Sequence, residues 1–205
     1  QWKQPKLVAN APELMGKELH RYAGKIESIQ FCFTSDPFMC GYPEVGDMTL
    51  RLVSMANDAG VKCNVLTKGI LPIELAGLSP ENEVGITLVS LDEDFRREFE
   101  PNSAPLANRL AALRALHESG TKTFISMEPY PTKNLWNQDL EDVLNAVGFV
   151  DRIIFGRWNY EPQITKDKTS KAFYNDAAAV VIEFCETNNI EYYIKDGTIT
   201  QLNTG

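Results

Sequence analysis

Several residues able to bind or polarise a small charged molecule recur at one kind of place in this sequence. Ser35 and Asp36, Lys68, Thr87 and Ser90, Glu128, and the run Arg157-Trp158-Asn159-Tyr160 each close or follow a short apolar segment. Carboxylates accept hydrogen bonds from ammonium groups and ribose hydroxyls. A lysine or arginine holds a carboxylate, hydroxyls do either, and aromatic rings give a flat wall. Glu100 and Arg109 add a second carboxylate and a guanidinium between the third and fourth segments. No residue of this set has the spacing of a metal site, and no catalytic acid, base or nucleophile is singled out by position.

The elements that must position these groups follow from the pattern. Segments rich in β-branched and aromatic residues at 26–33, 61–66, 84–89, 121–127 and 150–155 read as strands, with 190–194 closing the series. Helical spacing fills the intervals: 12–22, a helix capped by Asp47 and stopped by Gly60, short helices at 71–78 and after Ser90, a long one from Asn102 or Ser103 to Gly120, then 137–147 and 171–187. Ser90-Leu91-Asp92-Glu93 has the form of a capping box, which by itself accounts for Ser90. Strands alternating with helices predict an α/β fold with a parallel sheet. All the polar tips then share its carboxyl-end rim, where such sheets bind ligands. The chain reads as a single domain over 1–205, with a core at about 5–195 and a loose tail from 196.

With 205 residues, 43% hydrophobic and 23% charged, the chain has the composition of a globular domain. A net charge of −8 disfavours nucleic acid as a partner, because phosphate binding needs excess Lys and Arg. No run approaches the ~18 apolar residues of a membrane span. The four cysteines, Cys32, Cys40, Cys63 and Cys185, lack the spacing of a metal knuckle or redox pair. Together with the lack of a visible secretory signal, they place the protein in the cytoplasm.

A family resemblance is carried by the tips in order. Thr34-Ser35-Asp36-Pro37 follows one strand and Val65-Leu66-Thr67-Lys68 ends the next. Then comes Phe99-Glu100-Pro101-Asn102-Ser103-Ala104-Pro105, with Arg109 four residues on and a helix running to Gly120. Over residues 5 to 160 this resembles the radical S-adenosylmethionine superfamily, in the branch around spore photoproduct lyase. The resemblance implies a partial parallel (βα) barrel that binds S-adenosylmethionine across its rim. It also implies a [4Fe-4S] cluster that cleaves the cofactor reductively to a 5′-deoxyadenosyl radical, the substrate being set elsewhere.

By that resemblance Ser35 and Asp36 take the methionyl end and Lys68 a carboxylate or ribose. Thr87 and Ser90 hydrogen-bond ribose or methionyl groups, while Glu100 and Arg109 pair with each other or with the cofactor. Glu128 accepts ribose hydroxyls or touches substrate. Arg157, Trp158, Asn159 and Tyr160 line the substrate side. Beside each stands a structural reading: an Asx-Pro turn for Asp36, a solvated lysine for Lys68, an ion pair pinning a loop for Glu100–Arg109, and packing for Trp158 and Tyr160.

The family's Cys-x3-Cys-x2-Cys loop has no counterpart here, and Cys32 and Cys40 cannot replace it. The first strand matches the family's second. The first βα unit and the cluster ligands are therefore expected upstream of residue 1, and this chain alone is expected to be inactive. The alternative is a cluster-free barrel that binds a nucleotide or a partner. A missing first unit would leave strand 26–33 as an exposed edge inviting self-association.

Overall fold

The computed structural model describes residues 7–31, 35–159, 164, 167 and 169–200. In chain order its elements are α1 (Ala11–Arg21), β1 (Ser28–Phe31), α2 (Pro43–Asp58) and β2 (Lys62–Thr67). A 3₁₀ turn (Ile73–Gly77) leads to β3 (Glu83–Thr87), α3 (Glu93–Phe99), α4 (Leu106–Glu118) and β4 (Lys122–Tyr130). The series ends with α5 (Leu140–Val147), β5 (Arg152–Arg157), α6 (Ser170–Asn188) and β6 (Glu191–Ile194).

The six strands form one sheet in the order β1-β2-β3-β4-β5-β6, every pair parallel. A doubly wound sheet reverses direction at a switch point; this one never does. Crossovers of one hand, always stepping the same way, put all the helices on one face and curl the sheet as in a barrel. The fold is thus α/β with a parallel sheet, as the strand–helix alternation predicts, and its unreversed order is that of the partial barrel the family resemblance implies.

Strand parity divides the residues between two faces. The outer face carries Cys63 and Val65, Val84 and Ile86, Ile125 and Met127, Ile153 and Phe155, all buried. They pack under Val53 and Ala56 of α2, Leu113 and Leu116 of α4, Leu144 and Val147 of α5, and Ala178 and Val181 of α6. Each Val, Leu, Ile, Phe or Met side chain among them withdrawn from water contributes on the order of 1.5–3 kcal/mol. The inner face carries the other set, from Gln30 and Asn64 on one side to Tyr193 on the other. Two inner glycines have no room for a side chain. A Cβ on Gly85 would lie 2.5 Å from the Phe124 carbonyl oxygen, and one on Gly156 would lie 2.9 Å from the Glu128 side chain.

Three local expectations are corrected. The second helix begins at Pro43, not Asp47, because proline's fixed φ and missing N–H suit a first helical position. Ser90 does not cap α3. Asp92 does, accepting from the Asp94 N–H at 2.8 Å, while the Ser90 hydroxyl accepts from the Asp92 N–H at 3.1 Å. Glu93 turns away from a capping box to accept from the Leu106 N–H at 2.6 Å. The last correction concerns the tail, tied down as far as residue 200. Thr198 is buried and accepts from the Arg157 N–H, and Asn175 and Thr200 exchange side-chain and main-chain hydrogen bonds. Turn geometry at Gly197, with φ of +76°, brings Thr198 back onto β5.

Candidate functional site on the carboxyl-end rim

The rim is built from the exits of β1, β2 and β3 on one side and of β4, β5 and β6 on the other. Asp36 fastens the first two exits together. Its Oδ1 accepts from the Phe38 N–H at 2.9 Å, an Asx turn, and from the Thr67 hydroxyl; its Oδ2 accepts from the Lys68 N–H at 2.7 Å. The structural role read for Asp36 is therefore present, and it also sets the backbone of Lys68. Ser35 is exposed beside it. Gly69 lets the two loops close, because a Cβ there would fall 1.7 Å from the Phe38 carbonyl oxygen.

Lys68, Glu100 and Arg109 form a triad. Lys68 Nζ lies 2.9 Å from Glu100 Oε1, and Arg109 Nη2 donates to Glu100 Oε2 at 2.8 Å. Arg109 has no exposed surface. Its remaining donors go to the Ala104 and Thr87 carbonyls at 2.8 and 2.9 Å and to the Ser103 hydroxyl at 2.8 Å. The guanidinium thus fixes the tip of β3 to the start of α4. Two cations face one carboxylate, leaving a net positive charge. Only the Lys68 side chain, 39% exposed, can present it to a ligand.

Thr87 stands opposite Ser126 in the β3–β4 register, so two hydroxyl side chains share the inner face at the middle of the rim. Two residues past Ser126, Glu128 reaches the same face. Its Oε2 lies 2.7 Å from Lys195 Nζ at the end of β6. Ser90, by contrast, is buried in its own turn.

The last tip divides. Arg157 is held through its main chain to Thr198. The Trp158 N–H donates to the Tyr174 hydroxyl at 3.0 Å, and its ring meets Phe95 and Phe99 edge-on, so Trp158 serves packing against α3. Asn159 is exposed, and Tyr160 lies outside the described residues. The structure therefore gathers Asp36, Lys68, Glu100, Arg109 and Thr87 on one half of the rim and Glu128 on the other. Ser126 and Lys195 join them without having been singled out in sequence. Ser126 has a usable signal, lying two residues before Glu128 in a strand; Lys195 has none, because its partner lies two tips earlier.

Two half-open clefts lie beside the rim and include neither Lys68, Thr87 nor Glu128. One of about 340 Å³ is lined by Phe38, Tyr42, Leu50 and Ile70. Another of about 620 Å³ opens between the β4–α5 connection and α6, against Tyr130, Trp136 and Phe173. The rim groups face the open inner surface instead.

The described cysteines do not fit an iron–sulfur cluster. Cys63 lies on the outer face of β2, Cys185 in α6, and Cys40 in the loop after β1. Burial pushes the thiols of Cys63 and Cys185 up to about 11, opposite to what a thiolate ligand requires. No group of three or more His, Cys, Asp or Glu suited to a metal occurs among the described residues. Cys32 lies outside them.

No family model matches the chain. It is 25% identical over 131 residues to the uncharacterized protein ORF301 of Acidianus two-tailed virus, a match covering 62% of this chain and 42% of that protein. Its fold is shared with Streptococcus suis SuiB bound to S-adenosylmethionine, at a TM-score of 0.64 and 16% identity over 93% of this chain and 43% of SuiB. It is shared equally with spore photoproduct lyase complexed with dinucleoside spore photoproduct, at a TM-score of 0.63 and 14% identity over 87% of this chain and 63% of the lyase. The chain thus spans less than two thirds of each of these proteins. No helix among the described residues is long and apolar enough to cross a membrane.

Proposed function

We propose that the β1–β3 half of the rim binds S-adenosylmethionine, and that the chain is the cofactor-binding part of a radical S-adenosylmethionine enzyme. The observation that carries this reading is the net-positive Lys68–Glu100–Arg109 triad, set on the rim of a fold shared with an S-adenosylmethionine-bound protein. Lys68 receives the methionyl carboxylate. Ser35 and the Oδ2 side of Asp36 face the ammonium, and Thr87 and Ser126 offer hydroxyls to the ribose. Arg109 acts through Glu100 as a positioning residue, keeping the lysine head at the rim. The cofactor, once bound, supplies the sulfonium whose reductive cleavage defines that chemistry. In this reading the cysteines of the chain do not hold the cluster, and the chain by itself is not expected to cleave the cofactor.

The test is calorimetric titration of the chain with S-adenosylmethionine and with S-adenosylhomocysteine. One-to-one binding is expected, weakened about tenfold in Lys68→Met, the loss of one charge-assisted contact. A wild-type chain that binds neither compound overturns the reading. Redox chemistry is tested on the product of the complete gene, reconstituted anaerobically with iron and sulfide, by formation of 5′-deoxyadenosine. The scattered thiols favour one second reading, a cluster-free adenosyl-binding module. In that case binding persists and 5′-deoxyadenosine never forms.

A further inference from the structure

The smaller of the two clefts lies between the loop that follows β1, the first turns of α2 and the segment that follows β2. Its volume is about 340 Å³, at the small end of the range for ligand pockets. Phe38 anchors one wall. Its buried ring lies over Gly46 of α2, where an added Cβ would fall 3.3 Å from Cδ1. The Thr49 hydroxyl donates to the Pro37 carbonyl at 2.8 Å, so the loop is fastened to the helix it rests on. Ile70 and Pro72 form another wall. Ile70 leaves 46% of its surface in water although Phe38, Tyr42 and Leu50 line the same cleft. No lining residue carries a positive charge. Two carry a negative one, Asp47 on α2 and Glu74 on the 3₁₀ turn, both exposed. Among the described residues neither carboxylate has a hydrogen-bond or ion-pair partner.

Apolar walls and unpaired carboxylates together fix a ligand class. Exposed carboxylates are ordinary where only water surrounds them; these two stand on different elements that meet at one apolar cleft. The amino end of α2 opposes them with about half a positive charge, too little to offset two full negative charges. The cleft is therefore net negative and repels a carboxylate or a phosphate. A flat ring gains by leaving water against Phe38, Leu50 and Ile70, because burial of apolar surface is favourable in proportion to its area. An ammonium on a short alkyl arm then meets a carboxylate through a charge-assisted hydrogen bond. Position adds a consequence. The Phe38 N–H donates to Asp36, the Lys68 N–H donates to the same carboxylate, and the Phe38 carbonyl abuts Gly69. The loops that bound the cleft are thus the ones that set the backbone of Lys68. A guest touching both Phe38 and Ile70 clamps them together.

We infer that this cleft is a second small-molecule site, which takes an arylalkylammonium ion and, when filled, tightens cofactor binding at Lys68. The binding claim is independent of the proposed function; only the effect on Lys68 rests on it. The probe is tryptamine, with indole-3-propionate as a counterpart that keeps the ring and the arm and reverses the charge. Amide NMR shifts during titration should report one saturable site at residues 38–50 and 70–74. Tryptamine should bind about tenfold more tightly than indole-3-propionate, the size expected of two exposed charge contacts. Asp47→Asn combined with Glu74→Gln should erase most of that difference. Ile70→Ser, a change at an exposed position, should weaken both compounds. Equal affinities for the two, no binding of tryptamine by the wild-type chain, or shifts centred elsewhere overturn the site. So does a charge-neutral double variant that binds tryptamine as the wild type does. Calorimetric titration with S-adenosylmethionine is then repeated at saturating tryptamine. An affinity raised about fivefold supports the clamp, and by reciprocity the cofactor tightens tryptamine by the same factor. An affinity that is unchanged or lowered refutes the clamp. If S-adenosylmethionine binds in neither condition, the clamp falls with the cofactor assignment, while the tryptamine shifts still decide the site.

Discussion

Arg109 Nη2 and Glu100 Oε2 meet at 2.8 Å in the interior, nine residues apart, with the guanidinium wholly withdrawn from solvent. Such a pair is not a simple stabilising increment, because both charges lose hydration on burial. Its value is positional: the same guanidinium holds the Thr87 and Ala104 carbonyls and sets the distance between β3 and α4. Removing it leaves a buried carboxylate with only Lys68 beside it. Arg109→Met should cost about 3–5 kcal/mol of folding stability in urea titrations. Glu100→Gln combined with Arg109→Met should cost clearly less than the sum of the two single changes. Additive losses would show that the pair is not coupled.

Gly69 is the tightest backbone approach on the rim. A methyl group there would collide with the Phe38 carbonyl, a main-chain atom that cannot rotate aside. Gly69→Ala should therefore destabilise by about 3 kcal/mol, at the upper end of overpacking costs. It should also weaken adenosyl binding, because it separates the loops that Asp36 joins. Gly77→Ala, with open space around the added Cβ, serves as the control and should leave both unchanged. Equal effects at the two sites would refute the clash.

Alkaline pH should unfold the protein by way of its buried thiols. Burial raises Cys63 and Cys185 from the ordinary 9.0 to about 11 and Tyr130 from 10.0 to about 12. Above pH 9 the unfolded chain gives up protons that the folded chain retains, so stability falls with rising pH. This contribution is intact below pH 9 and declines as pH rises to about 11, with Tyr130 extending the decline toward about 12. Urea midpoints measured at pH 8, 9.5 and 10.5 should decrease in that order. At pH 8 a thiol reagent should modify the exposed Cys40 while Cys63 and Cys185 stay protected, as read by peptide mass spectrometry.

Among the described residues β1 pairs with β2 alone, so its other side is an open edge. Open edges template pairing with further strands. Light scattering of this chain should show a mass that rises with concentration. A single monomer mass across the range would rule out association through that edge.

The sheet was legible because its signals are local. Strands rich in β-branched residues alternate with helices stopped by Gly60 and Gly120, both in the left-handed region that favours glycine. From those alone the parallel α/β class follows, while the unreversed strand order rests on the family resemblance. Asp36, Lys68 and Thr87 were legible because each ends a strand and so shares a rim. Their bonding was not. Whether Glu100 faces Lys68, Arg109 or both depends on how the 99–105 loop folds back, a tertiary matter. Lys195 was invisible for a related reason: its partner lies 67 positions earlier, and only the register of three strands brings them together. The helix starts at Pro43 and Leu106 were misplaced because Asp47, Asn102 and Ser103 are equally good caps on paper, and packing decides among them.

The two halves of the inner face meet along the β3–β4 pairing, which ends at the rim with Thr87 opposite Ser126. At the rim the half around Glu100 draws its polar groups from β1–β3 and the loops they feed, with Ser126 of β4 reaching it across the seam. Copies of such a gene can therefore diverge on one side of the seam while the other side is kept. A lineage could change the groups on β5 and β6 while inheriting the triad around Glu100 intact.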